Sequence, residues 1–389
     1  MKLFFPHSNK GKYLDYNKKM KLKDYLFVLL IVSFYITYLF LLKPQIFSYK
    51  FDNTLIDRYF LSQDIPHEVS GKRLFLSDAE VDLATGYLYV TGKDPALYNF
   101  EHMPLIKYLY GFSVLVFNNP YPVTMILGIL FLVLYFYFVK RCYHNSYVPL
   151  LACLLFITEP LFIDASSQTL FDLGQTTSLL LYLISIFYFK DNFVFQGIAL
   201  GLFAAAKFWI TPIFFVTLIF LYKMYKKELD AKKFFTHLVI SFLVFALSYT
   251  QSFILTNGRF NLIWHILRIF KYRLQHNVST FFGASIILFV TGYLQTWWGS
   301  KNFIRIDMWN ILWPLSLIIS LYVCIRNFLL RRINEEFLIA IMPFAYLLYL
   351  GVQAPFPRYF LIILPFLYMI VANQTYLFLR KQLRIGKIR

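Results

Sequence analysis

Apolar residues in this chain gather in long unbroken runs, not in the alternating or every-third-to-fourth spacing of half-buried surface elements. The first run reaches from Tyr25 to Leu42. After a polar stretch come Pro104–Phe117, Val123–Val139, Val148–Phe162, Thr176–Phe189, Val194–Ala206 and Trp209–Tyr222. Phe235–Leu255, Phe281–Tyr293, Trp309–Val323, Phe337–Leu350 and Tyr359–Phe378 complete the series. A helix crosses a bilayer with about 20 mostly apolar residues, fewer where protein covers its ends. The pattern therefore predicts an all-α polytopic membrane protein of about 12 transmembrane helices, with a long, partly helical first outer loop. One conflict stands in that count. Lys140 and Arg141 call for the cytoplasm, whereas strict alternation from the first helix places them outside. The charged stretch Arg259–Ser279 leaves open whether it crosses, and no internal repeat is visible.

Composition agrees with the pattern. Of 389 residues, 59% are hydrophobic and 15% charged, against about 45–50% and 25% in soluble domains. So much apolar surface excludes both a soluble fold and a disordered chain. The net charge of +18 sits largely at the ends of the chain. Residues 1–23 form a basic tail, 24–380 the membrane domain and 381–389 a second basic tail. The positive-inside rule puts both termini in the cytoplasm of a multi-pass plasma-membrane protein, with anionic lipids as partners of the tails. No basic stripe interleaved with stacking aromatics lies outside the runs, so nucleic acid is not an expected partner. Cys142, Cys153 and Cys324 are too few and scattered for a disulfide framework. The first run is too long for a cleaved signal peptide and is expected to stay as a helix.

Chemistry concentrates in the first loop, residues 43–103, because long ordered loops are usually functional. Ser77–Asp78–Ala79–Glu80 precedes Val81, Ala84, Tyr87 and Leu88, which share one helical face. Ser77 and Glu80 fit a capping box, a purely structural use for Glu80. Asp78 would then be the first helical residue, beside unpaired N–H groups and the positive end of the dipole. That carboxylate serves either the dipole or catalysis as a base; Asp82 lies one turn on. Glu101 and His102 stand where the chain re-enters an apolar run, and Lys107 lies about one turn inside it. A lysine there either snorkels or meets an anion. Asp172, Lys207 and Arg358–Tyr359 border apolar runs further on, and cations there suit an anionic headgroup or an interfacial anchor. No HExxH, paired CxxC, P-loop or GxSxG occurs, and His102 alone makes no metal site. Asn277–Val278–Ser279 matches a glycosylation sequon.

The order of these features resembles the integral-membrane glycosyltransferases of the C superfamily, in particular the protein O-mannosyltransferase and aminoarabinose-transferase-like branch. The resemblance rests on Ser77–Asp78–Ala79–Glu80, Thr91–Gly92–Lys93–Asp94–Pro95 and Glu101–His102–Met103–Pro104–Leu105–Ile106–Lys107. Asp172, Lys207, Trp309–Asn310–Ile311–Leu312–Trp313–Pro314 and Arg358–Tyr359 lend weaker support. It implies inverting transfer of a hexose or pentose from a polyprenyl-phosphate sugar donor to a lipid, glycan or protein acceptor on the outer face of the membrane. Carried over, the family's loop carboxylate falls on Asp78 as general base, with Glu80 one position displaced from the second acid. Lys107, Arg358 and Lys207 fall to the donor phosphate, and Asp82, Glu101, His102, Asp172 and Tyr359 to support of the site. No cofactor is firmly implied, although a divalent cation could share the charge neutralisation. The first proline of the family's His-Pro-Pro-Leu-x-Lys is missing here, and no segment is long enough for a soluble acceptor-binding domain. The rival reading from another class is a secondary transporter or lipid flippase, which would place charges and broken helices near the midplane.

Overall fold

A computed structural model describes residues 21–65, 73–276, 281–296 and 302–385. Most of the two basic tails and the sequon lie outside the described residues. The described chain is helical, with one short β-hairpin.

Two helices set the frame. The helix α1 (Leu22–Leu42) leads through the short α2 (Gln45–Ser48), α3 (Thr54–Phe60), α4 (Asp78–Val90) and α5 (Leu105–Phe117) to α6 (Tyr121–Tyr143). Buried Asp24 at the start of α1 is ion-paired with Lys140 at the end of α6. Tyr35 lies on Gly128, where an added Cβ would come within 2.2 Å of its hydroxyl. Beyond α1, the Ile46 carbonyl accepts from Asn119 Nδ2 at 2.9 Å, just before α6. Residue numbers rise along one helix as they fall along the other, so the pair is antiparallel and everything between them stays at one end. The apolar run Pro104–Phe117, expected as a span, therefore does not cross. This removes the conflict over Lys140 and Arg141, which share the end of Asp24. We call that end basal and the other the site end.

The remaining helices run between these ends. After α6, α7 (Tyr147–Ile157) and α8 (Pro160–Ser166) meet at a 70° bend. Glu159 sits at the bend and caps α8, satisfied by Leu161 N, Asn310 Nδ2, Trp313 Nε1 and the Tyr368 hydroxyl. From the site end α9 (Asp172–Tyr188) descends to Cys142, α10 (Phe193–Ala206) returns, and α11 (Ile210–Tyr225) descends again. Next, α12 (Ala231–Leu247) rises to α13 (Thr250–Leu255), and α14 (Leu262–Gln275) lies across the site end. Short α15 (Ala284–Thr291) leads into the hairpin β1 (Tyr293–Gln295) and β2 (Phe303–Arg305), paired antiparallel with Leu294 opposite Ile304. Finally α16 (Leu312–Leu329) and α17 (Glu335–Leu350) pack against α18 (Leu364–Ile385), which lies on α7 and α6, and a 3₁₀ turn (Pro357–Ile362) packs against α9.

Polar residues between the apolar runs start the helices. Asn192, Asp230, Asn261 and Asn334 each accept a backbone N–H three residues on, satisfying donors that the first turn leaves unpaired. Three described helices, α1, α6 and α16, are long and apolar enough to cross a bilayer, and the bent pair α7–α8 has that length and composition only if its two pieces are taken as one span. The rest are shorter or, like the 22-residue α18, less apolar over such a length, and the expected figure of about 12 spans is not established. Aromatic rings fill the core, with Phe131 stacked on Phe156 at 4.6 Å and Phe289 on Trp313 at 5.5 Å. The basal end is tied by Lys190–Glu335, Lys233–Asp191 and Arg326–Glu336. The site end collects the candidate chemistry.

Candidate active site

The site begins at the first turn of α4. Ser77 Oγ accepts from Glu80 N at 3.3 Å, while Glu80 Oε2 accepts from Ser77 N at 2.9 Å, the expected capping box. Arg58 Nη2 also donates to Glu80 Oε1 at 2.9 Å. Partial burial pushes the Glu80 carboxyl up, but hydrogen bonds from Ser77, then Arg58, outweigh it and hold it below its usual range. Glu80 is thus committed to starting the helix.

Asp78 is differently placed. As the first residue of α4 it lies at the positive end of the dipole, with its side chain 56% exposed. The segment before α9 is tied to the same turn, because Thr169 Oγ1 donates to Ala79 O at 2.6 Å. That brings the first residue of α9, Asp172, beside it. Arg358, from the 3₁₀ turn, lies between the two carboxylates: Nη2 is 2.5 Å from Asp78 Oδ2, and Nε is 4.0 Å from Asp172 Oδ2. Lys207, just past α10, donates to the other oxygen of Asp172 at 2.5 Å. Asp78, Arg358, Asp172 and Lys207 therefore alternate in sign along one line, each from a different element. Tyr359 braces the line, its ring 4.5 Å from Lys207 Nζ.

Three other expected residues form a second network. Fully buried Lys107 donates to the Asn99 carbonyl at 2.8 Å and to Asn99 Oδ1 at 2.5 Å, and it contacts the Tyr89 hydroxyl at 3.3 Å. Asn99 Nδ2 donates in turn to Asp64 Oδ1 and Glu101 Oε1, and His102 Nδ1 meets Asn99 Oδ1 at 3.2 Å. Asn99 holds the left-handed backbone conformation, φ 42°, which asparagine tolerates. Lys107, Glu101 and His102 thus converge on one loop residue, not on the Asp78 line. Buried Asp82 lies within electrostatic reach of both groups.

A cavity of about 180 Å³ opens beside Lys207 and Tyr359. Its polar lining includes Lys207, Arg273, Gln175, Gln353, Thr211 and His276, with His102 and the rings of Tyr346 and Tyr349 also on the wall. Arg273 makes no ion pair among the described residues; its guanidinium lies 5.3 Å from the Phe208 ring. Sequence reasoning missed Arg273, Gln175 and Gln353. The spacing of buried Leu262, His265 and Ile269 on α14 carried the signal for Arg273, four residues further along the same face. A separate apolar groove of about 740 Å³ runs between α5, α10, α12 and α13 past Tyr108, Phe112, Leu202 and Val244. Among the described residues no three His, Cys, Asp or Glu side chains converge to hold a metal ion. Asp78 and Asp172 already have cationic partners, a poor donor set for a divalent cation, so no step below uses one.

No protein-family profile matches the chain, and no curated protein matches its sequence. Solved structures do match its shape. ArnT from Cupriavidus metallidurans bound to undecaprenyl phosphate superposes with a TM-score of 0.60 at 12% identity, over 82% of this chain and 58% of that one. Its apo form gives 0.56 at 13%, over 82% and 57%. The apo oligosaccharyltransferase of Archaeoglobus fulgidus gives 0.49 at 14%, over 94% and 52%. The chain thus spans little more than half the length of these proteins. In fold it is similar to ArnT.

Proposed function

We propose that this chain is a membrane glycosyltransferase that moves one sugar from a polyprenyl-phosphate donor to a hydroxyl acceptor. The observation that carries the reading is the exposed carboxylate of Asp78, joined through Arg358 to Asp172 and Lys207 beside a headgroup-sized cavity. The undecaprenyl phosphate held by ArnT supports a lipid-phosphate carrier on this fold. Asp78 takes the proton of the acceptor hydroxyl as its oxygen attacks the anomeric carbon. The new C–O bond forms on the face opposite the old one, so the anomeric configuration inverts. The electron pair of the broken C–O bond leaves with polyprenyl phosphate. Negative charge gathers on that phosphate, where Lys207, Arg273 and Arg358 stabilise it. Lys107 acts at one remove in this scheme, fixing the loop that carries the base. The apolar groove suits a polyprenyl or lipid-acceptor tail. The positive-inside rule, applied to Lys140, Arg141, Lys190, Lys223 and Lys233 at the basal end, supports a site that faces outward.

The test is release of polyprenyl phosphate by reconstituted protein given a panel of polyprenyl-phosphate sugars and a membrane extract as acceptor. Asp78→Asn, folded as wild type, should lose activity by about 10²–10⁴-fold. Equal turnover in both proteins would remove Asp78 as the base. Wild type that moves donors across the bilayer without cleaving them would establish a flippase instead.

A further inference from the structure

We propose that α14 is an interfacial helix, whose stripe of Phe270, Ile263, Leu274 and Leu267 sinks into the headgroup boundary of a bilayer that carries anionic phospholipid. The partner is a lipid surface, and the proposal does not depend on the transferase reading. Length and charge come first. At 14 residues α14 is about 21 Å long, short of the roughly 30 Å of a hydrocarbon core. Arg259, Arg268, Lys271 and Arg273 fall within 259–276, and no Asp or Glu does. The segment whose crossing the sequence leaves open therefore does not cross.

Its faces decide how it lies. At about 100° per residue, the four apolar residues of the stripe fall within an arc of about 60°. Ile263, Leu267 and Leu274 are 65%, 49% and 66% exposed, and Phe270 is exposed beside the Trp209 ring. Leu262 and Ile269 are buried on the other side in a cluster with Met103 and Tyr249, and His265 packs on the Tyr249 ring. Exposed Trp264 and Lys271 border the stripe along one edge. Such a pair suits the depth at which headgroups meet acyl chains, since the indole is amphipathic and the lysine stem lets its charge reach water or phosphate.

Charge names the surface. Arg268 is committed to the protein, its guanidinium 3.8 Å from the Phe100 ring and its Nη1 donating to Ala96 O at 3.4 Å. Arg273 lines the cavity. Lys271 stays on the outer side with no carboxylate in its own segment, and an anionic phospholipid supplies the missing negative charge. The chain also arrives at α14 from exposed Leu247 and Ile254, apolar surface of the same kind. Phe270, Arg273 and Leu274 edge the cavity as well, so the bilayer bears on the site through this helix.

The experiment places the full chain in nanodiscs of phosphatidylcholine with or without phosphatidylglycerol. Leu267→Cys, or Ile263→Cys if that variant does not fold, and Gln275→Cys carry an environment-sensitive fluorophore, and the wild-type chain with its native cysteines sets the background. The label at 267 should be quenched at least about threefold more by nitroxide-bearing lipid than by aqueous iodide, and the label at 275 the other way round. Tryptic cleavage after Lys271, read by mass spectrometry, should be about fivefold slower with phosphatidylglycerol present. Ile263→Glu combined with Leu267→Glu should speed that cleavage at least about 10-fold. Iodide reaching the label at 267 as freely as the label at 275 would overturn the proposal and leave the stripe to a partner protein. Cleavage unmoved by phosphatidylglycerol or by the paired substitution would overturn it as well. None of these readouts needs turnover, so a failed transferase reading would leave them standing.

Discussion

At the scale of single residues, the Asp172–Lys207 pair decides most. Its side chains are 5% and 11% exposed, so removing one partner strands a charge away from water. Asp172→Asn or Lys207→Met should each destabilise the protein by about 3–5 kcal/mol, read as a lower melting temperature in detergent. Replacing both by apolar residues of similar size should restore stability without restoring turnover, which separates the scaffold role from the chemical one. Asp78 was legible because helix starts have a local grammar, and Ser77 with Glu80 spelled it out. Lys207 and Arg358 were legible as charges that an apolar run would not otherwise border. Gln175 and Gln353 were not, because a glutamine in or beside an apolar run does not say which cavity it will line. Arg273 stood in a stretch read as charged and undecided. Nothing in its own letters says that the helix it ends folds over the mouth of the site.

At the scale of elements, α4 and α5 cross with backbone against backbone. A Cβ on Gly86 would sit 2.4 Å from the Lys107 carbonyl oxygen, and one on Gly111 would sit 2.1 Å from that of Gly86. These obstacles are main chain and cannot swing aside. Gly86→Ala should therefore cost about 1–3 kcal/mol and loosen the loop helix, seen as faster limited proteolysis between α3 and α5. The same crossing explains why one run was misread. At 13 residues α5 is about 20 Å long, short of the roughly 30 Å of a hydrocarbon core. Hydropathy reports that a segment shuns water and cannot say whether lipid or protein replaces it. The bend at Glu159 hid for a related reason, since Pro160 is as acceptable at the start of a new helix as at a kink.

For the whole molecule, the arrangement has a definite sidedness. Exposed Leu97 lies in the loop at the site end, and Lys227 follows α11 at the basal end. Cysteines placed at the two positions should differ in intact cells: Leu97→Cys should react with a membrane-impermeant maleimide, and Lys227→Cys should react only after permeabilisation. The reverse result would invert the orientation, and with it the side on which acceptor is met. The all-α architecture was plain in the apolar runs. Which helix ends lie together was blurred by the run Pro104–Phe117 and follows from a tertiary contact, Asp24 with Lys140, which no local pattern contains.

The ion pair between Asp78 and Arg358 joins positions 280 residues apart in the chain. A ribosome adding about 5–20 residues per second makes the second partner roughly 15–55 s after the first. Throughout that interval Asp78 exists without the arginine that completes its charge line. On the proposed function a nascent chain is therefore inert, and a stalled or truncated one would carry Asp78 without its partner.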